Sequence, residues 1–291
     1  LLSDGVLLVG MVLLLVGLGF KVAAVPFHQW SPDVYQGSPS PAVSYMAGAV
    51  KAAAFAAMVR IFVTTFDQSA VDWQPVVYAL ALLSLIVGAV LAAVQTDVKR
   101  MMAYSSINHA GFILIGVEAA SAAGTAAVLF YVAAYAVIVA GTFGVITVVA
   151  GSRDAKTSVD DFGGLSKRRP ALALGFTVLL VAQAGVPFTS GFFAKFTIVL
   201  AAEGSQSYWL AIVAMVTAVI AAFVYLRVVV AMYMRDPAED GDEPIEKEAV
   251  PWTAGLGIGL SVAVTLLFGI LPWILTDIAE RAVPVLVAVT P

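Results

Sequence analysis

A lysine lies near the middle of a long apolar segment of this chain. Lys51 follows Pro41 by ten residues and precedes Phe66 by fifteen, so in a helix that rises 1.5 Å per residue it lies about 15 Å from the nearer end. A charge at that depth of a membrane costs roughly 3 kcal/mol on insertion scales, and such residues commonly belong to ion or proton pathways. We therefore predict that Lys51 carries protons; a structural lysine paired to a neighbouring helix is the alternative.

Two further lysines lie beside prolines that interrupt apolar segments. Lys21 precedes Pro26 by five residues, and Lys195 follows Pro187 by eight. A proline inside a helix removes one backbone hydrogen bond, and the freed groups must be satisfied by protein or by a water-filled cavity. We predict that both lysines belong to the same relay as Lys51, although either could instead extend its ammonium group to the membrane surface.

Both histidines of the chain are candidates for the same chemistry. His109 follows Arg100 by nine residues within an apolar segment, and an imidazole that titrates near neutral pH suits proton transfer. His28 follows the first proline break, beside Trp30, where packing at the membrane interface is the alternative to function. Three charged residues nearer to the span ends are interpreted as anchors or pairing partners: Arg60, Glu118 and Arg227.

The composition fixes the class of protein that must position these residues. Hydrophobic residues make up 61% of the 291 residues and charged residues only 12%, with a mean hydropathy of +0.98, which leaves too little polar side chain to cover a soluble domain. The apolar runs are long and continuous, unlike the alternating strands of a barrel. We predict an all-α polytopic membrane protein.

The composition also excludes several kinds of site. The chain has no cysteine, which rules out disulfides, thiolate metal sites and iron–sulfur ligation by this chain. No residue spacing suits phosphate, metal or nucleic acid, so we predict no cofactor and no metal here. The chain opens at Leu1 in an apolar context, without a positively charged leader, and we interpret it as the C-terminal part of a longer protein.

The apolar runs, bounded by charged, proline-rich or glycine-rich breaks, predict eight spans. They cover residues 5–30, 41–66, 74–95, 101–118, 123–150, 170–202, 206–235 and 250–275. Lysine and arginine follow the third, fifth and seventh spans, whereas the loops after the second, fourth and sixth spans hold neither. Short loops rich in these residues stay in the cytoplasm, so we predict that the basic loops are cytoplasmic and that the first span begins outside.

The two proline breaks predict an internal repeat. Val25-Pro26-Phe27 and Val186-Pro187-Phe188 lie five spans apart, so the two broken helices cross the membrane in opposite directions, as in an inverted repeat of five helices with the ion site at the breaks. The predicted division is 1–66 for the last two helices of the first repeat, 67–235 for the second repeat, 236–249 for an acidic cytoplasmic loop, and 250–291 for a C-terminal transmembrane helix and tail.

Four stretches resemble one known family. The run from Phe20 to Pro41, FKVAAVPFHQWSPDVYQGSPSP, closely resembles the antiporter-like subunits of respiratory complex I, the proton-pumping NADH:quinone oxidoreductase, and its PDVYQGSPSP part is more similar to the N branch than to the L and M branches. The other stretches are AVKAAAF around Lys51, DVKRMMAYSSINHAG before and after His109, and AGVPFTSGFFAKF around Lys195. The resemblance covers the whole chain.

That resemblance implies a function and its residues. The spans resemble helices seven to fourteen of the family, so Lys21 matches the lysine of broken helix seven, Lys51 the central lysine of helix eight, His109 the histidine of helix ten and Lys195 the lysine of broken helix twelve. The glutamate that pairs with the first lysine lies on helix five, outside this chain. The implied function is proton translocation in the membrane arm of the complex, coupled to redox chemistry elsewhere.

The resemblance also implies partners and location. NADH, FMN, iron–sulfur clusters and quinone would be bound by other subunits, and subunits M and K would be neighbours in the bilayer of a bacterial plasma membrane, with no nucleic acid involved. Two other functions stay open: a subunit of a multisubunit cation/proton antiporter, which shares this helix architecture, and a structural scaffold whose lysines no longer carry protons.

Overall fold

The computed structural model describes residues 2–151, 154–235 and 250–287. In these ranges the chain is helical, apart from loops and one isolated antiparallel bridge between Asp97 and Ser158. The α-helices are α1 Leu2–Val22, α2 Trp30–Gly37, α3 Ser40–Tyr45, α4 Lys51–Met58, α5 Ala70–Ala93, α6 Val98–Glu118, α7 Ala122–Ala150, α8 Leu165–Arg168, α9 Pro170–Ala184, α10 Ser190–Gly204, α11 Tyr208–Met234, α12 Trp252–Ile270 and α13 Pro272–Val287. The π-helical segment Met46–Val50 joins α3 to α4, and a second π-helical segment, Val59–Thr65, continues the same helix after α4.

The predicted all-α membrane fold is confirmed. Within the described ranges, six helical segments are long and apolar enough to cross a membrane: Gly5–Val22, Ser40–Thr65, Asp67–Ala93, Ala122–Ala150, Tyr208–Met234 and Trp252–Ile270. They coincide with the first, second, third, fifth, seventh and eighth predicted spans. The fourth is α6, whose polar residues lower its hydropathy, and the sixth divides into two 15-residue helices, α9 and α10. The total of eight spans and their orientation stay predictions, and the acidic loop 236–249 lies outside the described residues.

Helix α6 lies at the centre of the described structure. Every residue from Met101 to Glu118 is buried, including the polar run Ser105, Ser106, Asn108 and His109. Polar side chains cannot find hydrogen-bond partners in lipid, so a helix that carries several of them is most stable where other helices surround it. The least apolar of the predicted spans is therefore the one that the others enclose.

Both predicted proline breaks are present. The first separates α1, which ends at Val22, from α2, and the second separates α9, which ends at Ala184, from α10. At the first break a side chain binds a backbone group that has no helical partner, as burial requires: the amide of Val25 donates to the Ser84 hydroxyl at 2.9 Å. The inverted five-helix repeat stays a prediction.

Helix α13 extends beyond the last predicted span. It begins at Pro272, separated from the end of α12 by Leu271 alone, and continues to Val287. Its charged residues Asp277, Glu280 and Arg281 interrupt the apolar pattern on which the hydropathy prediction relied. The predicted tail therefore contains a helix.

Candidate functional site

Lys51 is buried at the centre of the structure. Its side chain is 3% exposed, and its ammonium group donates to the backbone carbonyl of Ser106 at 2.7 Å and to the Ser106 hydroxyl. That hydroxyl lies 3.4 Å from the hydroxyl of Tyr35. Among the described residues Lys51 forms no ion pair, so neutral oxygens alone bind its ammonium group.

His109 lies between two tyrosine hydroxyls. Its Nδ1 is 2.7 Å from the hydroxyl of Tyr131, and its Nε2 is 3.1 Å from that of Tyr225. The Tyr225 hydroxyl is also 2.5 Å from the Ser105 hydroxyl, and the ring of Tyr135 packs on the imidazole with centroids 4.7 Å apart. Both ring nitrogens therefore have hydrogen-bond partners that can donate or accept a proton.

Lys195 occupies the second break. It is 7% exposed, donates to the carbonyl of Ala184 at 2.9 Å, and places its ammonium 5.0 Å from the centre of the Phe112 ring, a cation–π arrangement. Ala184 is the last residue of α9, and Gly185 follows with φ of 91°. The proline break thus supplies the oxygen that binds this lysine.

One face of α6 connects the three groups. Lys51 binds Ser106, and Lys195 lies over Phe112, six residues further along α6, about 9 Å along the helix axis. His109 stands midway, three residues from each, and residues three apart are neighbours on a helix surface. The predicted order of Lys51, His109 and Lys195 therefore agrees with their order in space.

The other two predicted site residues lie apart from this cluster. Lys21 is exposed in the last turn of α1 and has no hydrogen bond or ion pair to the described residues. His28 is half-buried in the segment between α1 and α2. The roles predicted for all five residues stay predictions.

Sequence reasoning missed the hydroxyl groups of the site, which are those of Ser105, Ser106, Tyr131 and Tyr225. The serines follow one another just before Asn108 and His109, a polar run in an apolar helix that could have indicated them. Tyr225 gives no such signal, since it lies in an apolar helix 116 residues from His109.

An ion pair outside the apolar segments holds the Lys51 helix against α6. Lys99, which is 1% exposed, donates to the carboxylate of Asp154 at 2.9 Å and to the carbonyl of Ser38 at 2.6 Å. Asp154 also accepts from the amide and hydroxyl of Ser40, the first residue of α3. Partial burial alone raises the pKa of Asp154, but the bonds from Lys99 and Ser40 outweigh it and hold that pKa below its usual 3.8.

Residues 2–221 match the family model described as NADH:quinone oxidoreductase/Mrp antiporter, transmembrane. The chain belongs to this family. It is 43% identical to NADH-quinone oxidoreductase subunit N 3 of Streptomyces griseus over 96% of this chain and 50% of that protein, and 45% identical to subunit N of Saccharopolyspora erythraea over 96% of this chain and 53% of that protein. The chain thus spans about half the length of the curated relatives it matches, and the predicted resemblance is confirmed.

Solved structures agree with this family. The chain is similar to a chain of respiratory complex I from Thermus thermophilus with bound aureothin, with a TM-score of 0.75 and 31% identity over 90% of this chain and 57% of that chain. It is also similar to a chain of the Mrp complex from Dietzia, with a TM-score of 0.83 over 94% of this chain and 58% of that chain; at 21% identity this similarity concerns the fold alone. The described residues of the present chain contain no group of three or more histidine, aspartate or glutamate side chains that could hold a metal ion.

Proposed function

We propose that this chain is part of a proton-translocating membrane-arm subunit of NADH:quinone oxidoreductase in a bacterial plasma membrane. NADH, FMN, iron–sulfur clusters and quinone belong to other subunits in this proposal, and subunits M and K are its neighbours. The observation that carries it is the placement of two buried lysines, Lys51 and Lys195, against one face of α6 with His109 midway between them. The 40–45% identity to relatives named subunit N supports the choice of complex.

The size of the driving force constrains the mechanism. Moving a proton against ~150 mV requires about 3.5 kcal/mol. Two charges ~10 Å apart at an effective dielectric constant of ~20 interact by only about 1.7 kcal/mol, whereas forming or breaking a contact pair at ~4 Å changes the energy by about 4 kcal/mol. A switch between contact pairs is therefore large enough to drive the transfer, and a single push through space is not.

We propose the following order of events. The ammonium group of Lys21 breaks its ion pair with a carboxylate on a helix outside this chain. The proton then passes through water to Lys51. From Lys51 the proton passes to the Ser106 hydroxyl and through water to Ser105, whose hydroxyl is hydrogen-bonded to that of Tyr225. Tyr225 contacts His109, and from His109 the proton moves towards Lys195. The exposure of Lys21 is consistent with a partner outside the described residues, and the neutral oxygens around Lys51 allow its ammonium to lose a proton without leaving an unpaired carboxylate.

We also propose the repeat as the basis of this arrangement. Residues 1–66 would be the last two helices of a first five-helix unit and 67–235 would form the inverted second unit, with 236–249 as an acidic cytoplasmic loop and 250–291 as a C-terminal transmembrane helix and tail. The two broken helices supply the ion-binding backbone groups in this scheme, as in transporters built from inverted repeats.

Replacement of Lys51 tests the proposed function. In membrane vesicles that carry the whole complex, we expect Lys51→Met to lower both proton translocation and NADH:quinone electron transfer while the complex still assembles. Lys167→Met, which removes an exposed lysine, is the matched control and should leave both activities unchanged. A Lys51→Met complex that pumps at the wild-type ratio of protons to electrons would falsify the relay and favour a scaffold role.

The competing function is a subunit of a cation/proton antiporter, because the description of the matching family model names the Mrp antiporter beside NADH:quinone oxidoreductase. The two functions differ in what accompanies the chain. Copurification with NADH-oxidising subunits is expected for the proposed function, whereas an antiporter subunit would copurify without them and would exchange cations in their absence.

A further inference from the structure

Glu118 is a buried carboxyl group that the relay described above does not use. It is the last residue of α6 and is 7% exposed, whereas the sequence indicated an anchor or a pairing partner near a span end. Its Oε1 accepts a hydrogen bond from the Ser207 hydroxyl at 2.9 Å. Its Oε2 is fully buried and has no partner in the described part of the chain. A buried carboxyl oxygen without a partner is unfavourable unless a proton or a water molecule satisfies it.

Helices α6 and α10 pack side by side between Lys195 and this carboxyl. Lys195 of α10 lies over Phe112, and Ile198, one turn further along α10, contacts Gly116 closely enough that a Cβ there would be 2.8 Å away. Ser207, just after α10, then binds Glu118. Helices α6 and α10 therefore run in parallel from the second break to Glu118.

The axial distance from Phe112, where Lys195 lies, to Glu118 is short. Glu118 lies six residues beyond Phe112 on α6, about 9 Å along the axis. A chain of three to four hydrogen bonds of ~2.8 Å each would span that axial distance. The hydroxyl of Thr125, in the first turns of α7 where this helix meets the end of α6, is also buried without a partner, so a second polar atom that could bind water lies at the same helix junction.

The position along α6 gives the direction. The helix begins beside Lys99 and Arg100, the end that the lysine and arginine distribution predicts to be cytoplasmic, and Glu118 is at the other end. A carboxyl at the C-terminus of a helix faces the negative end of its dipole, so Glu118 does not stabilise its own helix by charge. The position of Glu118 at the far end of α6 and its burial both suit a group that alternately binds and releases a proton, rather than an anchor at the membrane surface.

We propose that Glu118 is the proton-exit carboxyl of this chain. This inference rests on the proposed function and adds its last step. The carboxylate of Glu118 accepts a proton that Lys195 releases through hydrogen-bonded water, becomes the neutral acid, and passes the proton to the outer aqueous phase, which restores the carboxylate. Ser207 orients the carboxyl group during both transfers.

Substitution of Glu118 tests this step in vesicles that carry the whole complex. Glu118→Gln keeps an oxygen for Ser207 but cannot carry a proton, and we expect proton translocation to fall at least fivefold, a modest part of the usual effect of general acid–base groups. Glu203→Gln is the matched control, since Glu203 is an exposed carboxylate at the same end of the bundle, and its effect should stay below about 1.5-fold. Glu118→Asp retains a carboxyl and should recover much of the rate.

The Lys51→Met variant separates the two possible failures. If Lys51→Met abolishes translocation and Glu118→Gln leaves it unchanged, Glu118 is not the exit although the proposed function stands. If Lys51→Met leaves translocation unchanged, the proposed function itself fails.

Discussion

The ammonium group of Lys195 donates a hydrogen bond to the carbonyl oxygen of Ala184, 2.9 Å away. This carbonyl is available because α9 ends at Ala184 and the chain turns at Gly185, so no amide of a following helical turn occupies it. The break in the helix and the binding of the lysine are thus one structural feature. A substitution at the turn should therefore affect both stability and proton transfer.

Gly185→Ala tests that feature. Gly185 has φ of 91°, and a Cβ there would be 3.0 Å from Cδ of Lys195, so we expect a loss of about 1–3 kcal/mol of stability from backbone strain and a displaced lysine. Gly204→Ala is the control, because nothing lies within 4 Å of its Cβ position. Thermal unfolding in detergent and proton translocation are measured together. Equal melting temperatures for the two variants would contradict the assigned geometry.

Tyr131→Phe should remove the shortest hydrogen bond that His109 forms. The change leaves the Nδ1 atom of His109 buried without its 2.7 Å partner, which costs about 1–3 kcal/mol. If the same bond holds the ring in position for transfer, a loss of ~1.4 kcal/mol slows proton translocation about tenfold. Tyr208→Phe, at an exposed position, should change neither quantity. Translocation at the wild-type rate in Tyr131→Phe would remove this tyrosine from the relay.

Asp154→Asn should remove a dependence of stability on pH. The pKa of Asp154 is lower in the folded protein than its usual 3.8, so its stabilising effect is fully present above that value and is lost as pH falls through the lower, folded-state pKa. The stability of the wild-type protein should therefore fall further below pH 4 than that of the variant. At neutral pH the variant leaves Lys99 without its carboxylate, at a cost on the order of 3 kcal/mol.

The control for that experiment is Asp160→Asn. Asp160 pairs with Arg235, but the two side chains are 75% and 50% exposed, and exposed pairs contribute about 0–1 kcal/mol. Unfolding by heat at a series of pH values compares the three proteins. Identical pH profiles for Asp154→Asn and the wild type would show that the Lys99 pair contributes nothing to the acid sensitivity.

Gly88→Ala should separate α5 from α6. A Cβ at Gly88 would lie 2.4 Å from the backbone nitrogen of Asn108, and a backbone atom cannot move aside as a flexible side chain can. We expect overpacking to cost about 1–3 kcal/mol, and a shift of α6 to impair proton translocation, because Asn108 precedes His109. Gly257→Ala has open space around its Cβ position and should be neutral or stabilising. A melting temperature as high as that of the control would mean that α5 and α6 are not packed this closely.

Several features were predictable from the sequence because they depend on neighbouring residues along the chain. Continuous apolar runs predicted helices long enough to cross a membrane. The two Val-Pro-Phe triplets predicted the breaks, because a proline removes a backbone hydrogen bond and clashes with the preceding turn of its own helix. The four stretches that resemble the complex I subunits, one of which surrounds Lys51, predicted the family. The same local reading missed α13, since three charged residues interrupt its apolar pattern.

Other features depended on how distant segments pack. Hydropathy indicates that Glu118 is near a span end but not whether other helices cover it, and it gives Lys21 and Lys195 similar surroundings although the first is exposed and the second is buried. The partners of His109 come from α7 and α11, and those of Lys51 from α6.

The sequence by itself therefore determined that this is a helical membrane protein with charged groups at unusual depth. The length and apolarity of the segment around a charged residue show how deep in the hydrocarbon that residue lies, and this depth sets the energetic cost of its charge. Only the tertiary structure decided which oxygen atoms bind those charges, that α6 is the helix along which they are arranged, and that Glu118 is buried at the far end of that helix. Hydrogen bonds act over about 3 Å, so the partner of each group is fixed by the packing of helices that can be more than a hundred residues apart in the chain.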